Sequence, residues 1–370
     1  MSISGKRGLP RSVILHLTEN CNLRCKMCYF WGETGAYSSS KLGRKPISLE
    51  LELVKQIIHD LTPSKPFYSL FGGEPLMYPF IEEVICTIKE AGSIIDTPTN
   101  GTLLAEHAKM LVRTDFDSVR VSIDGPREIT DEMRGKGSHD KAFNGIETLH
   151  EEKLIAKKKK PYIGILYTVT PKNYHSIEQF FLEDLNLSAI NNITIQMQNF
   201  LTEEMGSKYA EMIRSNFGIT SDSYWKGFIR SPRDFNDVDT NKLAQQVNKV
   251  VTHLKNIGKI VILEPPTFSP ENLKAYIEAR WNDMSDTYGG CLVPWVSVDI
   301  TAAGDIAPCH AFYDLILGNL YENTIEEIWN GENYQKFRTY MRKNKLMSIC
   351  PGCCILYLAG KKKRKKNRND

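Results

Sequence analysis

The sequence lacks any long apolar segment. No run approaches the roughly 18 apolar residues that a membrane-spanning helix needs. The first apolar stretch, residues 13–17, is too short for the core of a secretory signal peptide. We therefore expect a cytoplasmic protein. No internal repeat is found either.

The chain also has little net charge, +3 over 370 residues, and that charge is unevenly placed. The last ten residues, KKKRKKNRND, hold seven Lys or Arg and one Asp, so the remainder is slightly acidic. Such a block is typical of a solvated tail, and contact with nucleic acid or a membrane surface is the alternative. Hydrophobic residues make up 41% of the chain and charged residues 25%, a globular balance.

Cysteine is present, but not in the pattern of a disulfide framework. The count is nine, and an odd number without a signal peptide favours metal or redox chemistry. Cys86 stands alone in a helical pattern. The others form two groups, which are Cys21, Cys25 and Cys28 near the start, and Cys291, Cys309, Cys350, Cys353 and Cys354 in the last quarter.

Short β-rich runs alternate with amphipathic helical patterns over the first two hundred residues. This alternation predicts βαβ units and an α/β fold with a parallel sheet or barrel. Unusual residues follow four of the strands, where the chemistry of such barrels gathers. These segments are TENCNLRCKMC, GGEP, PTNG and DGP, and the candidate strands are 13–17, 67–71, 93–96, 118–123, 162–169 and 192–197.

Composition and cysteine placement predict four regions. Residues 10–200 form the barrel, and 201–288 form a mostly helical connector with one apolar run, KIVILE. Residues 289–358 form a small metal-bound module. Residues 359–370 form the basic tail.

The first cysteine group is suited to an iron–sulfur cluster. Three thiolates at spacings of four and three, in a loop that leaves a strand, bind three corners of a cubane cluster. The fourth corner then has no protein ligand, which leaves a position for a substrate or cofactor. A structural zinc site, which normally has four ligands, and buried free thiols are the alternatives.

These features resemble the radical S-adenosyl-L-methionine (SAM) superfamily. Its hallmark is a C-x₃-C-x₂-C loop after the first strand of a partial (β/α)₆ barrel, here Cys21, Cys25 and Cys28. Gly72-Gly73-Glu74-Pro75 follows the second strand, as the family's GGE segment does. The resemblance implies a 4Fe–4S cluster, SAM, and a 5′-deoxyadenosyl radical that abstracts a hydrogen atom from a substrate.

The resemblance also implies which residues bind SAM. Gly72, Gly73 and Glu74 correspond to the segment that binds the methionyl amino group. Arg134 corresponds to a basic residue that meets the carboxylate. Met27 stands where the family usually has an aromatic residue against the adenine, and Tyr29 follows closely. The remaining candidates, at strand ends that face the ribose and substrate, are Asn100, Ser122 and Asp124.

The second cysteine group provides a complete ligand set, for zinc or for a 4Fe–4S cluster by spacing alone. Its sequence resembles the SPASM/twitch extension of radical SAM enzymes, which implies an auxiliary 4Fe–4S cluster held by Cys291, Cys309, Cys350 and Cys353. Because no cysteine follows Cys354, we expect the twitch form with one such cluster. A fully ligated cluster favours electron transfer, which suits oxidation of a substrate.

The sequence says less about the substrate than about the cofactors. Tyr167, Gln196 and Gln198 are candidate cavity residues near strand ends. We expect a small-molecule substrate and a one-electron reductant of the flavodoxin or ferredoxin type. A peptide-modifying maturase is the alternative, disfavoured because the barrel begins near residue 12, without the N-terminal leader-binding module common in that group. A zinc-bound interaction protein is the third possibility.

Overall fold

A computed structural model describes residues 8–38, 43–221, 224–309 and 313–362. The described strands form a ten-stranded sheet in the order β11-β10-β9-β1-β2-β3-β4-β5-β6-β7, and a separate pair, β8 and β12. Strands β1 to β7 are all parallel to their neighbours. The α/β class with a parallel sheet is confirmed. The strands are β1 (Ser12–Thr18), β2 (Phe67–Gly72), β3 (Ile94–Thr99), β4 (Ser118–Ser122), β5 (Tyr162–Val169), β6 (Asn192–Met197), β7 (Ile260–Glu264), β8 (Tyr288–Cys291), β9 (Ser297–Ile300), β10 (Asp305–Ala307), β11 (Gly318–Asn319) and β12 (Gly360–Lys362).

Amphipathic helices follow the parallel strands and pack against the sheet. In the first helix, Val54, Ile57, Ile58 and Leu61 recur at helical spacing and are buried. A π-helical turn, Phe180–Asp184, continues the sixth helix. The helices are α1 (Leu51–Leu61), α2 (Ile81–Glu90), α3 (Leu104–Arg113), α4 (Arg127–Arg134), α5 (Ser138–Ile155), α6 (Ile177–Gln179), α7 (Glu203–Phe217), α8 (Thr240–Asn256), α9 (Pro270–Ile277), α10 (Val293–Val296), α11 (Ile325–Asn330), α12 (Glu332–Asn344) and α13 (Cys354–Ala359).

The connector contributes a seventh parallel strand, which the sequence interpretation did not assign to the barrel. The apolar run of residues 260–264 forms β7 and pairs with β6, from Asn192 opposite Ile260 to Gln196 opposite Glu264. Helix α8 precedes β7, so this part of the connector repeats the strand–helix–strand pattern. The sheet therefore extends one strand beyond the expected six.

The C-terminal cysteine module is joined to the same sheet. Strand β9 pairs in parallel with β1, with Ile14 opposite Asp299, and β10 and β11 follow as antiparallel strands. Trp329 Nε1 donates to the backbone oxygen of Gly8, 2.8 Å away. The module is thus continuous with the barrel through the backbone ladder.

Two sequence expectations concern the ends and surface of the chain. Residues 363–370 of the basic tail lie outside the described residues, so its partners stay a prediction. None of the helices in the described ranges has the length and apolar character that a bilayer crossing requires.

Candidate functional site

A cavity of about 210 Å³ lies where the carboxyl ends of the parallel strands converge. The three cysteines of the first group enter it from the loop after β1. Residues from the ends of β2 to β6 line the rest. The sequence candidates found in this lining are Cys21, Cys25, Cys28, Tyr29, Gly72, Gly73, Glu74, Asn100, Ser122, Arg134, Gln196 and Gln198.

The three cysteines are half-buried, and the surroundings of Cys21 and Cys25 disfavour ionisation of those two thiols. Burial raises the pKa of Cys21 to about 12, against a hydrogen bond from the backbone of Leu23, and the negative charges of Glu74, Cys25 and Cys28 add to the rise. Burial also raises the pKa of Cys25 to about 11, although Arg134 opposes it. Thiolates at this site therefore need a metal centre to stabilise them.

Two glycines allow the end of β2 to lie directly against the cysteine loop. The backbone nitrogen of Gly73 donates to the Thr18 oxygen, and that of Glu74 to the Asn20 oxygen, both at 2.8 Å. A Cβ atom at Gly72 would lie 2.2 Å from the Thr18 oxygen, and one at Gly73 would lie 2.1 Å from the Asn20 oxygen. Any side chain at either position would displace the loop.

The carboxylate of Glu74 ties β2 to β3 from inside the site. It accepts hydrogen bonds from the Thr99 hydroxyl and the Asn100 backbone nitrogen, both at 2.8 Å, and from the Leu76 nitrogen at 3.2 Å. The Asn100 amide in turn donates to Asn22 in the cysteine loop at 2.9 Å. Glu74 and Asn100 therefore hold the cysteine loop and the strand ends together.

Asp124 does not line the cavity but fixes a residue that does. Its Oδ2 accepts from Arg134 Nε at 2.6 Å, and its Oδ1 accepts from the backbone nitrogen of Thr168 at 2.9 Å. Asp124 is fully buried. The pair leaves Arg134 as an oriented positive charge beside Cys25, whose Sγ lies 3.9 Å from the Arg134 backbone oxygen.

Tyr167 lies on the wrong face of β5 to contact a substrate in this cavity. It is fully buried against Phe180 and Phe181, and its hydroxyl donates to the Asn173 oxygen at 3.0 Å. Its neighbour Thr168, in register with Gln196, lines the cavity instead. The sequence contains a signal for this orientation. Apolar residues occupy the odd positions from 163 to 169, which places Tyr167 on the same face of β5 as the buried residues.

Sequence reasoning also missed Phe71 at the end of β2 and Asn199 after β6, which both line the cavity. Asn199 falls in a segment, QMQNF, without a motif to single it out. Met27, the departure from the family pattern, lines the cavity as well.

The second cysteine group converges around a separate buried site. Cys291 ends β8, Cys309 follows β10, and Cys350 and Cys353 flank a 3₁₀ turn. Burial raises the pKa of Cys350 to about 12 and that of Cys309 well above its usual value. The negative charges of Cys350 and Cys291 add to the rise at Cys309.

Cys354 lies on the side of this group that faces the first cavity. Its thiol lies near Asn199, which lowers the pKa of that thiol and lines the first cavity. The negative charges of Cys354 and Cys28 both raise the pKa of Tyr29, after burial, the largest cause. Tyr29 is therefore within electrostatic reach of both cysteine groups.

Both donor sets fit iron–sulfur clusters. They consist of thiols that are buried or half-buried, and burial raises the pKa of Cys21, Cys25, Cys291, Cys309 and Cys350. Across residues 8–38, 43–221, 224–309 and 313–362, no three Cys, His, Asp or Glu side chains are placed to chelate a single metal ion. The thiolates of a cubane cluster bind separate irons, so such a cluster does not need three ligands around a single ion.

Two protein-family models match the chain. Residues 15–183 match the radical SAM superfamily, and residues 291–354 match SPASM, an iron–sulfur cluster-binding domain. The match at the C-terminus is thus to SPASM, where the sequence had suggested the twitch form. Together the two models span most of the chain and include all the cysteines of both groups.

Several known proteins are similar to this chain. An Fe-coproporphyrin III synthase of Methanosarcina barkeri is 31% identical over 46% of this chain, and the alignment spans only 39% of that relative. A serine-type anaerobic sulfatase-maturating enzyme of Bacteroides thetaiotaomicron is 24% identical, over 91% of this chain and 78% of the relative.

The fold is also that of a solved structure. The crystal structure of Streptococcus suis SuiB bound to S-adenosylmethionine superposes with a TM-score of 0.63 and 15% identity, over 90% of this chain and 68% of SuiB. The chain thus carries a radical SAM domain over residues 15–183, which implies a 4Fe–4S cluster and SAM, and a SPASM iron–sulfur cluster-binding domain over residues 291–354.

Proposed function

We propose that this protein is a radical SAM enzyme that oxidises or rearranges a small molecule. The observation that supports this most is the placement of Cys21, Cys25 and Cys28 in one cavity. Next to them lie Gly72 and Gly73, where the backbone contact with the cysteine loop leaves no room for a side chain. When bound, the cluster and SAM supply one-electron cleavage of the sulfonium, which gives methionine and a radical that takes a hydrogen atom from the substrate.

The residues of the cavity would hold and orient these groups. Cys21, Cys25 and Cys28 would ligate three irons. The backbone of Gly72 and Gly73 would face the methionyl amino group, and Arg134, held by Asp124, would pair with the carboxylate. Asn100 and Ser122 would face the ribose, with Met27 and Tyr29 against the adenine.

The second cysteine group would hold one auxiliary 4Fe–4S cluster through Cys291, Cys309, Cys350 and Cys353. Because four thiolates leave no open iron, its proposed role is to accept an electron from the substrate. A reductant of the flavodoxin or ferredoxin type would supply the electron that starts each turnover. Gln196 and Gln198 would contact the substrate.

SAM cleavage tests the proposal. Anaerobically reconstituted and reduced protein should release 5′-deoxyadenosine, measured by liquid chromatography and mass spectrometry. Replacing Cys21, Cys25 and Cys28 together with Ala should abolish the product, whereas Cys86→Ala, in helix α2, should leave it unchanged. Product formation by the triple variant would overturn the site assignment.

Substrate class is tested by isotope transfer. Deuterium from a labelled small molecule should appear in 5′-deoxyadenosine if that molecule is the substrate. Transfer from a labelled peptide, with none from small molecules, would favour the maturase alternative. The sulfatase-maturating relative and SuiB motivate including peptides in this comparison.

A further inference from the structure

Glu264 is a buried carboxyl group that the SAM-binding residues do not use. It ends β7, is 5% exposed, and lies in register with Gln196 on the neighbouring parallel strand. Residues in register on adjacent strands point to the same face of a sheet. Since Gln196 lines the cavity, the Glu264 side chain is directed to the same side.

No hydrogen-bond donor to the Glu264 carboxyl group is found in the part of the chain that the structure describes. Within the described ranges, no side chain or backbone group hydrogen-bonds to it, and no ion pair includes it. Arg120 lies within electrostatic reach but forms its own ion pair with Asp96 at 2.8 Å. Burying a carboxylate without a partner is costly, so such groups normally have a counter-ion or a ligand.

A second acceptor without a donor is found on Asn199, in the segment that follows β6. The Oδ1 atom of Asn199 is buried without a hydrogen-bond partner, while Asn199 itself lines the cavity. Cys354 is close enough to both residues to couple to them electrostatically, since Asn199 lowers the pKa of the Cys354 thiol and an ionised Cys354 would raise that of Glu264. The two acceptors therefore belong to one wall of the site, formed by the ends of β6 and β7 and the start of α13.

Asn199 Oδ1, which is buried without a donor, and the carboxyl group of Glu264 both favour a ligand that donates hydrogen bonds, and the carboxylate also favours a positive charge. A primary ammonium group has three N–H donors and one positive charge. The charged side chains that line the cavity, Glu74 and Arg134, already have protein partners. Glu264 is not among the lining residues, but it lies in register with Gln196, which is, and its charge is not used by an ion pair in the described ranges.

We propose that Glu264 and Asn199 form a substrate subsite that binds a protonated amine. The inference rests on the proposed function, because the subsite lies beside the region assigned to SAM, and it narrows the substrate to an amine-bearing molecule. Burial raises the pKa of Glu264 well above its usual value, with Cys354 adding to the rise and Arg120 opposing it. An ammonium ligand would restore the ionised carboxylate.

The test uses holoenzyme with both clusters and SAM, and three small probes of similar size: ethylammonium, ethanol and acetate. Binding is measured at constant ionic strength from broadening of the probe proton lines by the reduced clusters. Ethylammonium should bind at least tenfold more tightly than the other two. Equal binding of the three probes would overturn the proposal.

Substitutions at the two residues provide a second test of the subsite. Glu264→Gln should weaken ethylammonium binding at least tenfold, and Asn199→Ala several-fold, with iron content and circular dichroism checked for each. Glu271→Gln, an exposed carboxylate on α9, should bind the probe as the wild type does. Unchanged binding in folded Glu264→Gln or Asn199→Ala would overturn the subsite. SAM cleavage by the wild type is measured separately, so failure of the subsite is distinguishable from failure of the proposed function.

Discussion

The region proposed to bind SAM depends on a close backbone contact at Gly73. A methyl group there would lie 2.1 Å from the Asn20 oxygen, in the loop between the first two strands that carries Cys21. Substitution therefore requires the loop to move, and with it a cluster ligand. The contact explains in physical terms why two glycines precede Glu74.

Gly73→Ala should lower both the iron content of the first site and the free energy of unfolding, the latter by about 1–3 kcal/mol, as overpacking typically does. Iron analysis and denaturant unfolding measure the two effects. Gly8→Ala is the matched control, because no atom lies within 4 Å of a Cβ at that position. Normal iron content in Gly73→Ala would contradict the close-contact explanation.

Asp124 acts through Arg134. Asp124→Asn removes the charge that holds the guanidinium at 2.6 Å, and hydrogen bonds to charged groups contribute about 1.5–3 kcal/mol. We expect the affinity for SAM to fall by roughly tenfold, measured by equilibrium binding to reconstituted protein. Asp140→Asn, at an exposed ion pair with Arg127, should not change it. Unchanged affinity in a folded Asp124→Asn variant would contradict the role assigned to Arg134.

At the scale of elements, Asp117 joins four segments at the amino-terminal ends of the strands, on the side of the sheet away from the cavity. It accepts hydrogen bonds from Lys89 on α2 and Lys160 before β5, both at 2.7 Å, and from the Ile95 nitrogen on β3 at 3.0 Å. Burial acts to raise its pKa, but these hydrogen bonds outweigh burial and lower it. The ionised carboxylate thus stabilises the folded state.

Asp117→Asn should lower the free energy of unfolding at neutral pH by about 1–3 kcal/mol. Because the pKa is lower in the folded state, the advantage of the wild type is complete above the unfolded pKa of about 4 and is lost as pH falls through the folded pKa. Denaturant unfolding of the wild type and the variant at a series of pH values measures this difference in the free energy of unfolding. Asp237→Asn, at an exposed carboxylate, is the control. A difference that stayed constant down to acid pH would contradict the assignment.

The elements also show what the sequence could predict. Strands β1 to β6 and the two cysteine groups carry local signals, namely alternation, helical periodicity and short spacings. Pairing of β9 with β1 depends on contacts almost 300 residues apart in sequence, and no local pattern encodes it. The prediction that Tyr167 lines the cavity was wrong because it relied on the polar hydroxyl group. The alternation of apolar residues along β5 places the side chain on the opposite, buried face. Glu264 and Asn199 lack a motif and are recognised only when the strand ends are brought together.

At the scale of the whole molecule, two cysteine groups from opposite ends of the chain are brought near one another, the first in the cavity and the second at a separate site next to it. The continuous sheet from β7 through β1 to β11 fixes their relative placement. Tyr29 lies within electrostatic reach of Cys28 from the first group and of Cys353 and Cys354 from the second. This arrangement suits an enzyme that starts a radical at one cluster and returns an electron to another.

Because the two proposed clusters have separate ligands, removing the ligands of one should leave the other cluster in place. Replacing Cys291 and Cys309 with Ala should roughly halve the iron per chain, retain some SAM cleavage and stop substrate turnover. Iron analysis and 5′-deoxyadenosine release measure the first two effects. Complete loss of iron in a folded variant would show that the sites are not independent.

The central claim is that the cluster held by Cys21, Cys25 and Cys28 has one iron without a protein ligand. Electron paramagnetic resonance on the Cys291→Ala/Cys309→Ala variant, reduced without oxygen, tests it directly because the first cluster is then observed alone. Adding SAM labelled with ¹⁵N in its amino group should alter the cluster spectrum and produce a nitrogen hyperfine coupling. A spectrum unchanged by bound SAM, with no coupling, would show that a protein atom already occupies the fourth corner and would contradict the account.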